Sequence, residues 1–281
     1  MKLLKNSCIL TILIILSIPT WFSIWFIITG SFMGADEIIS YVGPAYTGHG
    51  YVRWSIFANY PTLKPYIELL IDTPNYFTAF WNSCKISFAI IIGQLFVAVP
   101  AAWYFAKYDS IVNKLLYVIY IGLMLLPFQV TMISNYLVID KLELVNTHSS
   151  IILPAVFSTF PVFIMVKYFI SIDRSLLEAA ALDNANDFQI FLYIGIPLGS
   201  GGIITVFVLM FIEYWNIVEQ PLIFIKSKSL WPLSLYLPKI SVAQLGIAMV
   251  ASIVSLFPTV LIFIFGQEFI EQGIIASGLK E

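Results

Sequence analysis

The sequence predicts an all-α integral membrane protein that crosses a lipid bilayer through about six transmembrane helices. Two observations carry that prediction. Hydrophobic residues make up 60% of the 281 positions and charged residues only 11%, with a mean hydropathy of +0.92, whereas soluble domains are about a quarter charged. The apolar residues also gather into runs near the ~20 that one helical crossing needs, at 8–29, 82–106, 115–138, 149–170, 195–213 and 243–265.

The first run follows Lys2 and Lys5. It is longer than the apolar region of a signal peptide and ends in no small-x-small cleavage site, so a retained helix is expected. Pro19 within it is tolerable in lipid, where neighbouring helices satisfy the freed backbone. Residues 30–81 form a polar-aromatic segment punctuated by Gly43-Pro44, Tyr60-Pro61-Thr62 and Thr73-Pro74-Asn75. This segment is expected outside the bilayer, with Trp54, Trp81 and several tyrosines resting at the lipid interface.

Spans two and three are joined by a short loop at 107–114 carrying Lys107 and Lys114, and spans three and four by the polar stretch 140–147. Alternation places 140–147 on the same side as the long segment and 171–194 on the opposite side. Residues 213–242 are broken by Trp215-Asn216, Pro221, Trp231-Pro232 and Pro238 into pieces too short to cross. They read as an external loop with a re-entrant or interfacial part. The lysine bias favours a cytoplasmic N-terminus through Lys2, Lys5, Lys107 and Lys114, against Lys226, Lys228 and Lys239 outside. Six spans then put both termini inside.

Several function classes find no support. Cys8 and Cys84 fall in or beside spans and offer neither a disulfide framework nor metal-ligand spacing. A net charge of −2 without a basic run gives no sign of nucleic-acid binding. The nearest approach to a phosphate-binding loop, Gly43 to His49, has His49 and Gly50 where Lys and Ser or Thr are needed. His49 and His148 are too few and too far apart to argue for a metal site or proton relay. No enzymatic chemistry, metal or cofactor is expected.

The polar segment 171–194 is the most informative. Ser175-x-x-Glu178 fits a capping box, with Asp173 as a competing N-cap, so a short helix is expected over 175–184. Asn184 is placed to end it in a left-handed conformation. Ala179 and Ala180 would let such a helix lie close against a partner, while Glu178 supplies a charge for orientation. The plainer reading is an ordinary loop helix.

The extended pattern, Glu178-Ala179-Ala180, then Asp183-Asn184-Ala185, then Ile194-x-Ile196-Pro197 before the next span, resembles the cytoplasmic coupling motif of permease subunits in bacterial binding-protein-dependent ABC importers. The family's glycine is Asn184 here, which tolerates positive φ nearly as well. The proline that often precedes the coupling helix is replaced by Asp173. Further blocks resemble the maltose-type carbohydrate branch: Asn82-Ser83, Ala101 to Tyr104, Leu126 to Thr131, Trp215-Asn216, and the tail Gly273 to Lys280. Their order covers nearly the whole chain.

The resemblance implies a single transmembrane domain over 1–281, with a cytoplasmic coupling helix between spans four and five. It implies a location in the bacterial cell membrane and four kinds of association. These are a second homologous permease subunit, two ATP-binding ATPase subunits, an extracytoplasmic solute-binding protein and the lipid itself. The coupling residues would be Glu178, Ala179, Ala180, Asp183, Asn184, Ala185 and Pro197. Polar residues in the spans either line a sugar pathway or bond helices together, and Gln129, Thr131, Ser134 and Asn135 are the candidate lining set. The expected cargo is a carbohydrate, an oligosaccharide by resemblance, with glycerol phosphodiesters as another solute of the same branch. The alternatives are an ion-coupled secondary carrier and a membrane scaffold. A carrier usually buries ionisable residues near the midplane, and the central spans hold none.

Overall fold

The computed structural model describes residues 2–48, 50–53, 55–237 and 244–278. His49, Trp54, Pro238, Lys239 and residues 279–281 of the tail lie outside the described residues. Helices α1 (Lys2–Ser31), α2 (Ala35–Thr47), α3 (Lys64–Leu70) and α4 (Pro74–Lys107) open the chain. They are followed by α5 (Ile111–Met124), α6 (Phe128–Lys141), α7 (Ser149–Val156), α8 (Thr159–Ile170) and α9 (Arg174–Leu182). Then come α10 (Asp187–Ile190), a π-helical turn at Phe191–Gly195, α11 (Ile196–Leu198), α12 (Ser200–Trp215), α13 (Glu219–Phe224), α14 (Leu233–Tyr236) and α15 (Leu245–Gly278). Among the described residues there is no strand.

Four helical stretches are long and apolar enough to cross a membrane: Ile9–Ser31, Pro74–Lys107, Ser149–Ile170 and Leu245–Glu271. Two bent pairs, α5 with α6 and the Asp187–Leu198 stretch with α12, bring the number to six if each pair is one span. The stretch expected as one span at 115–138 is two helices meeting at 99°. Pro127 explains the break, because proline disfavours the helical conformation in the residue before it and cannot donate to the preceding turn. Pro127 itself is extended, at ψ 147°, and starts α6. Within Ser149–Ile170, Phe157 and Ser158 interrupt the helix just ahead of Pro161.

The chain divides into two units. The first comprises Met1–Thr78 and Tyr236–Pro258. In it the segment expected outside the bilayer is organised by α2, α3 and an irregular stretch. The Glu37 carboxylate accepts from the backbone N–H of Asn59 at 2.8 Å, and the Thr62 N–H donates to the Phe32 carbonyl at 2.8 Å. Ser31 and Tyr66 share a hydroxyl hydrogen bond at 2.9 Å. Ile38, Leu69, Tyr76 and Val250 are buried, whereas Leu10, Leu13, Leu16 and Trp21 along α1 are exposed, as a lipid-facing helix requires.

The second unit comprises Ala79–Leu235 and Thr259–Glu281. Its core includes Ile86, Ile90, Ile91, Val206 and Phe211. Fully buried Gln94 on α4 donates to the Ala155 carbonyl beside the break in span four, at 2.8 Å, and to the Tyr214 hydroxyl at 2.9 Å. Gly93 next to it lets Val156 approach so closely that a Cβ would lie 2.5 Å from Cγ2, the small-residue packing on which helices in lipid depend. Tyr168 joins α8, α12 and α15 through Thr205 Oγ1 and the Phe269 carbonyl.

Polar connections gather at two places in this unit. In one, Asn146 accepts from the backbone N–H groups of Lys226 and Ser227, while Asn82 donates to the carbonyls of Ser229 and Trp231. In the other, the end of α4 meets the start of α10. Thus the loops 140–147 and 224–231 lie together, and the loop after α4 lies with the segment 171–194, matching the alternation expected from the span order.

Candidate functional site: the polar segment between spans four and five

Helix α9 is fixed at both ends by its own sequence. The Asp173 carboxylate accepts from the Ser175 N–H at 3.0 Å and caps the N-terminus. The helix therefore begins at Arg174, and the Ser175–Glu178 capping box expected from the pattern does not form. At the other end the helix stops at Leu182, short of 184. Asn184 adopts φ 60°, its N–H donates to Ala181 O, and the Ala185 N–H donates to Ala180 O, both at 3.1 Å. These paired bonds are a Schellman motif, which satisfies carbonyls that the helix end would otherwise orphan.

Glu178, Ala179 and Asp183 are exposed, while Ala180 and Ala185 are half-buried. Two residues that the sequence pattern did not single out change the character of this helix. Leu176 is 49% and Leu182 85% exposed, and Phe188 just beyond is exposed as well. A nine-residue helix whose outer side carries two leucines and Ala179 presents an apolar face with Glu178 and Asp183 beside it. Their signal was available: Leu176 and Leu182 are apolar residues in an otherwise polar, capped segment.

Asn186 opens α10 with a capping box, its side chain accepting from the Gln189 N–H and the Gln189 side chain accepting from its own N–H, both at 2.9 Å. Asp187 follows and bonds the end of α4, with Lys107 Nζ 2.7 Å from Oδ1 and the Tyr108 hydroxyl donating to Oδ2 at 2.6 Å. That hydrogen bond holds the Tyr108 phenol above its usual pKa, because the carboxylate favours the protonated donor. In the same loop the Lys114 ammonium holds the Asp109 carboxyl below the usual carboxylate range. Asp187, Lys107 and Tyr108 were not singled out by the motif, although Asn186-x-x-Gln189 is a legible capping pattern.

The Ile194 to Pro197 block lies across the π-helical turn and α11. Gly195 is buried, and a Cβ there would sit 2.7 Å from the Trp103 ring. Trp103 also meets Phe169 edge-on at 5.3 Å. Pro197 is exposed in the three-residue α11, where its missing N–H costs nothing.

The candidate lining residues all lie on α6, but not on one face. At ~100° per residue, Thr131, Ser134 and Asn135 fall within one arc and Gln129 on the opposite side. Gln129 donates to Glu219 Oε1 on α13 at 2.8 Å, and the Thr131 hydroxyl donates to the Phe128 carbonyl at 3.1 Å. Ser134 is exposed and Asn135 half-exposed.

The family described as "Binding-protein-dependent transport system inner membrane component" matches residues 94–276, more than half of the chain, and the match takes in α9, the π turn and the helices on either side. The chain belongs to this family. It is an ABC importer permease subunit and a multi-pass membrane protein. It is 27% identical over 222 residues to the arabinooligosaccharides transport system permease protein AraQ of Halalkalibacterium halodurans, covering 78% of this chain and 80% of that one. Over 210 residues it is 29% identical to the lactose transport system permease protein LacG of Rhizobium radiobacter, covering 74% and 76%. Its fold matches a chain in the crystal structure of a bacterial ABC transporter involved in the import of the acidic polysaccharide alginate. That match has a TM-score of 0.79 and 21% identity, and covers 94% of this chain and 96% of that one.

Proposed function

We propose that the permease carries a carbohydrate, an oligosaccharide in the first instance, and that α9 is its coupling helix. The observation that supports α9 most directly is its form. It is a rigidly capped, nine-residue helix with Leu176, Ala179 and Leu182 exposed beside Glu178, a surface that gains by being covered. An ATPase groove is the cover that the importer architecture provides. Relatives that transport arabinooligosaccharides and lactose support the carbohydrate assignment.

In this reading residues 1–281 act as one transmembrane domain with six crossings, each bent pair counting as one, and with both termini in the cytoplasm of a bacterial cell. The chain pairs with a second homologous permease and forms half of the pathway. Two ATPase subunits bind the coupling helices from the cytoplasm, and a solute-binding protein delivers cargo from outside. ATP-driven closure of the ATPases draws the coupling helices together and turns the pathway outward; hydrolysis resets it. The chain transmits that free energy and catalyses no covalent step. Glu178, Ala179, Ala180, Asp183, Asn184, Ala185 and Pro197 form or position the docking element. Gln129, Thr131, Ser134 and Asn135 line the pathway, where exposed amides and hydroxyls in a membrane helix need a polar surrounding.

The test is to tag the chain, solubilise membranes gently and identify what copurifies. A Walker-motif ATPase together with a second six-span subunit is the expected result. A clean homo-oligomer without an ATPase would overturn the reading.

A further inference from the structure

A cleft of about 490 Å³ opens in the second unit between the ends of α4 and α8 and the starts of α5 and α9. Two of its lining groups are short of partners. Asn113 is only 3% exposed, and its Nδ2 donates to the carbonyls of Phe105, at 3.1 Å, and Tyr108. Those two acceptors fix the amide orientation, so the atom left over is Oδ1, and Oδ1 has no hydrogen-bond partner. One turn further along α5, the buried Tyr117 hydroxyl also has none. Both residues line the cleft.

The charges around the cleft are of both signs. Lys107 and Lys114 are held by Asp187 and Asp109 at 2.7 Å. Arg174 and Glu178, also in the lining, are in neither of these pairs. A ligand that suits the cleft therefore carries an N–H donor for Asn113 Oδ1, a positive charge for Glu178 and an anion for Arg174. Position narrows the source. Two apolar spans, Pro74–Lys107 and Ser149–Ile170, end at this cleft, so it lies where a bilayer's head groups begin. Ile170, half exposed and in the lining, offers apolar contact to an acyl chain.

We propose that this cleft binds a phosphodiester ending in a primary ammonium, the chemistry of a phosphoethanolamine lipid head group. The ammonium donates to Asn113 Oδ1 and faces Glu178, the Arg174 guanidinium takes the phosphate oxygens, and the Tyr117 hydroxyl donates to the phosphate. The site does not depend on the identity of the cargo or on α9 docking to an ATPase, because the contacts belong to the single chain.

The test uses the full chain, delipidated in detergent and titrated with phosphatidylethanolamine or phosphatidylcholine under native mass spectrometry. A trimethylammonium has no N–H for Oδ1, so phosphatidylethanolamine should bind about tenfold more tightly. Asn113→Ala also removes the bonds that hold the end of α4 and is prone to misfold, so Tyr117→Phe and Arg174→Gln are the informative variants. Each should weaken phosphatidylethanolamine binding severalfold and narrow its margin over phosphatidylcholine. Free glycerophosphoethanolamine binding as tightly as the lipid would support the site and assign it to a soluble phosphodiester. Equal binding of the two lipids, or binding unchanged by both variants, would overturn the proposal and leave Asn113 Oδ1 to water.

Discussion

Lys107 Nζ and Asp187 Oδ1 lie 2.7 Å apart, joining the last residue of α4 to the first residue of α10, eighty positions along the chain. The pair ties the second apolar span to the segment that follows α9, and Tyr108 adds a second bond to the same carboxylate.

Asp187 is exposed, and exposed ion pairs contribute little to stability, so Asp187→Asn should insert and fold normally. Its effect should appear as reduced coupling of uptake to ATP hydrolysis. Lys107→Met should behave alike, and the double variant should be no worse than either single one. Additive losses in that cycle would show that the two residues act separately. The Tyr108 phenol sets the pH dependence. Its folded pKa is raised, so its contribution is complete below about pH 10, the ordinary tyrosine value, and is lost as pH rises through the folded value. Tyr108→Phe should remove that alkaline limb and leave behaviour at neutral pH nearly unchanged.

Glu178→Lys, Leu176→Asp and Leu182→Asp each alter the outer side of α9 without touching its caps. Burying a leucine is worth about 1.5–3 kcal/mol, so either aspartate variant should lower ATPase recovery on copurification by tenfold or more. Ala180 is half-buried, and Ala180→Arg should instead push α9 off the body. Normal ATPase recovery with all four variants would remove α9 from the coupling role.

Asn184 sits at φ 60°, where a residue with a branched Cβ pays about 1–2 kcal/mol. Asn184→Gly should leave the melting temperature of the solubilised chain unchanged or raise it, and Asn184→Val should lower it. If the valine variant melts with the wild type, the Schellman turn is not holding α9.

Gln94→Leu deletes the bonds to Ala155 and Tyr214 within the helical body. Buried hydrogen bonds in membrane proteins are worth about 0.6 kcal/mol on average and up to about 1.7, and three elements meet here. A loss of about 1 kcal/mol is therefore expected in unfolding by denaturing detergent. A variant as stable as wild type would mean that Tyr214 finds another partner.

The fold class was legible because lipid imposes a single rule on the backbone, and the apolar runs obey it. The places where the sequence reading came short have local physical causes. Pro127 splits the expected third span, since mean apolarity records length but not the angle between two halves. Asp173 displaced the Ser175 capping box because its carboxylate already reaches the second N–H of the helix. Asn184 was readable as a left-handed stop from its side chain alone. The Asp187 cluster and the Gln94 bridge were not, because each joins residues sixty or more positions apart and no spacing rule links them. Gln129 falls away from Thr131, Ser134 and Asn135 once helical phase is counted, which a list of nearby polar residues conceals.

The π-helical turn at Phe191–Gly195 has a consequence for how this chain tolerates change in length. A π turn closes a hydrogen bond over five residues instead of four, so it holds one extra residue and sets α12 about 100° out of step with an uninterrupted α-helix from Asp187. Removing a single residue between 191 and 195 would let the turn relax to α-helix and swing every side chain of α12, Tyr214 included, away from its present neighbours. Substitutions there are a matter of packing, but a one-residue deletion would re-index the whole fifth span against the segment that carries α9.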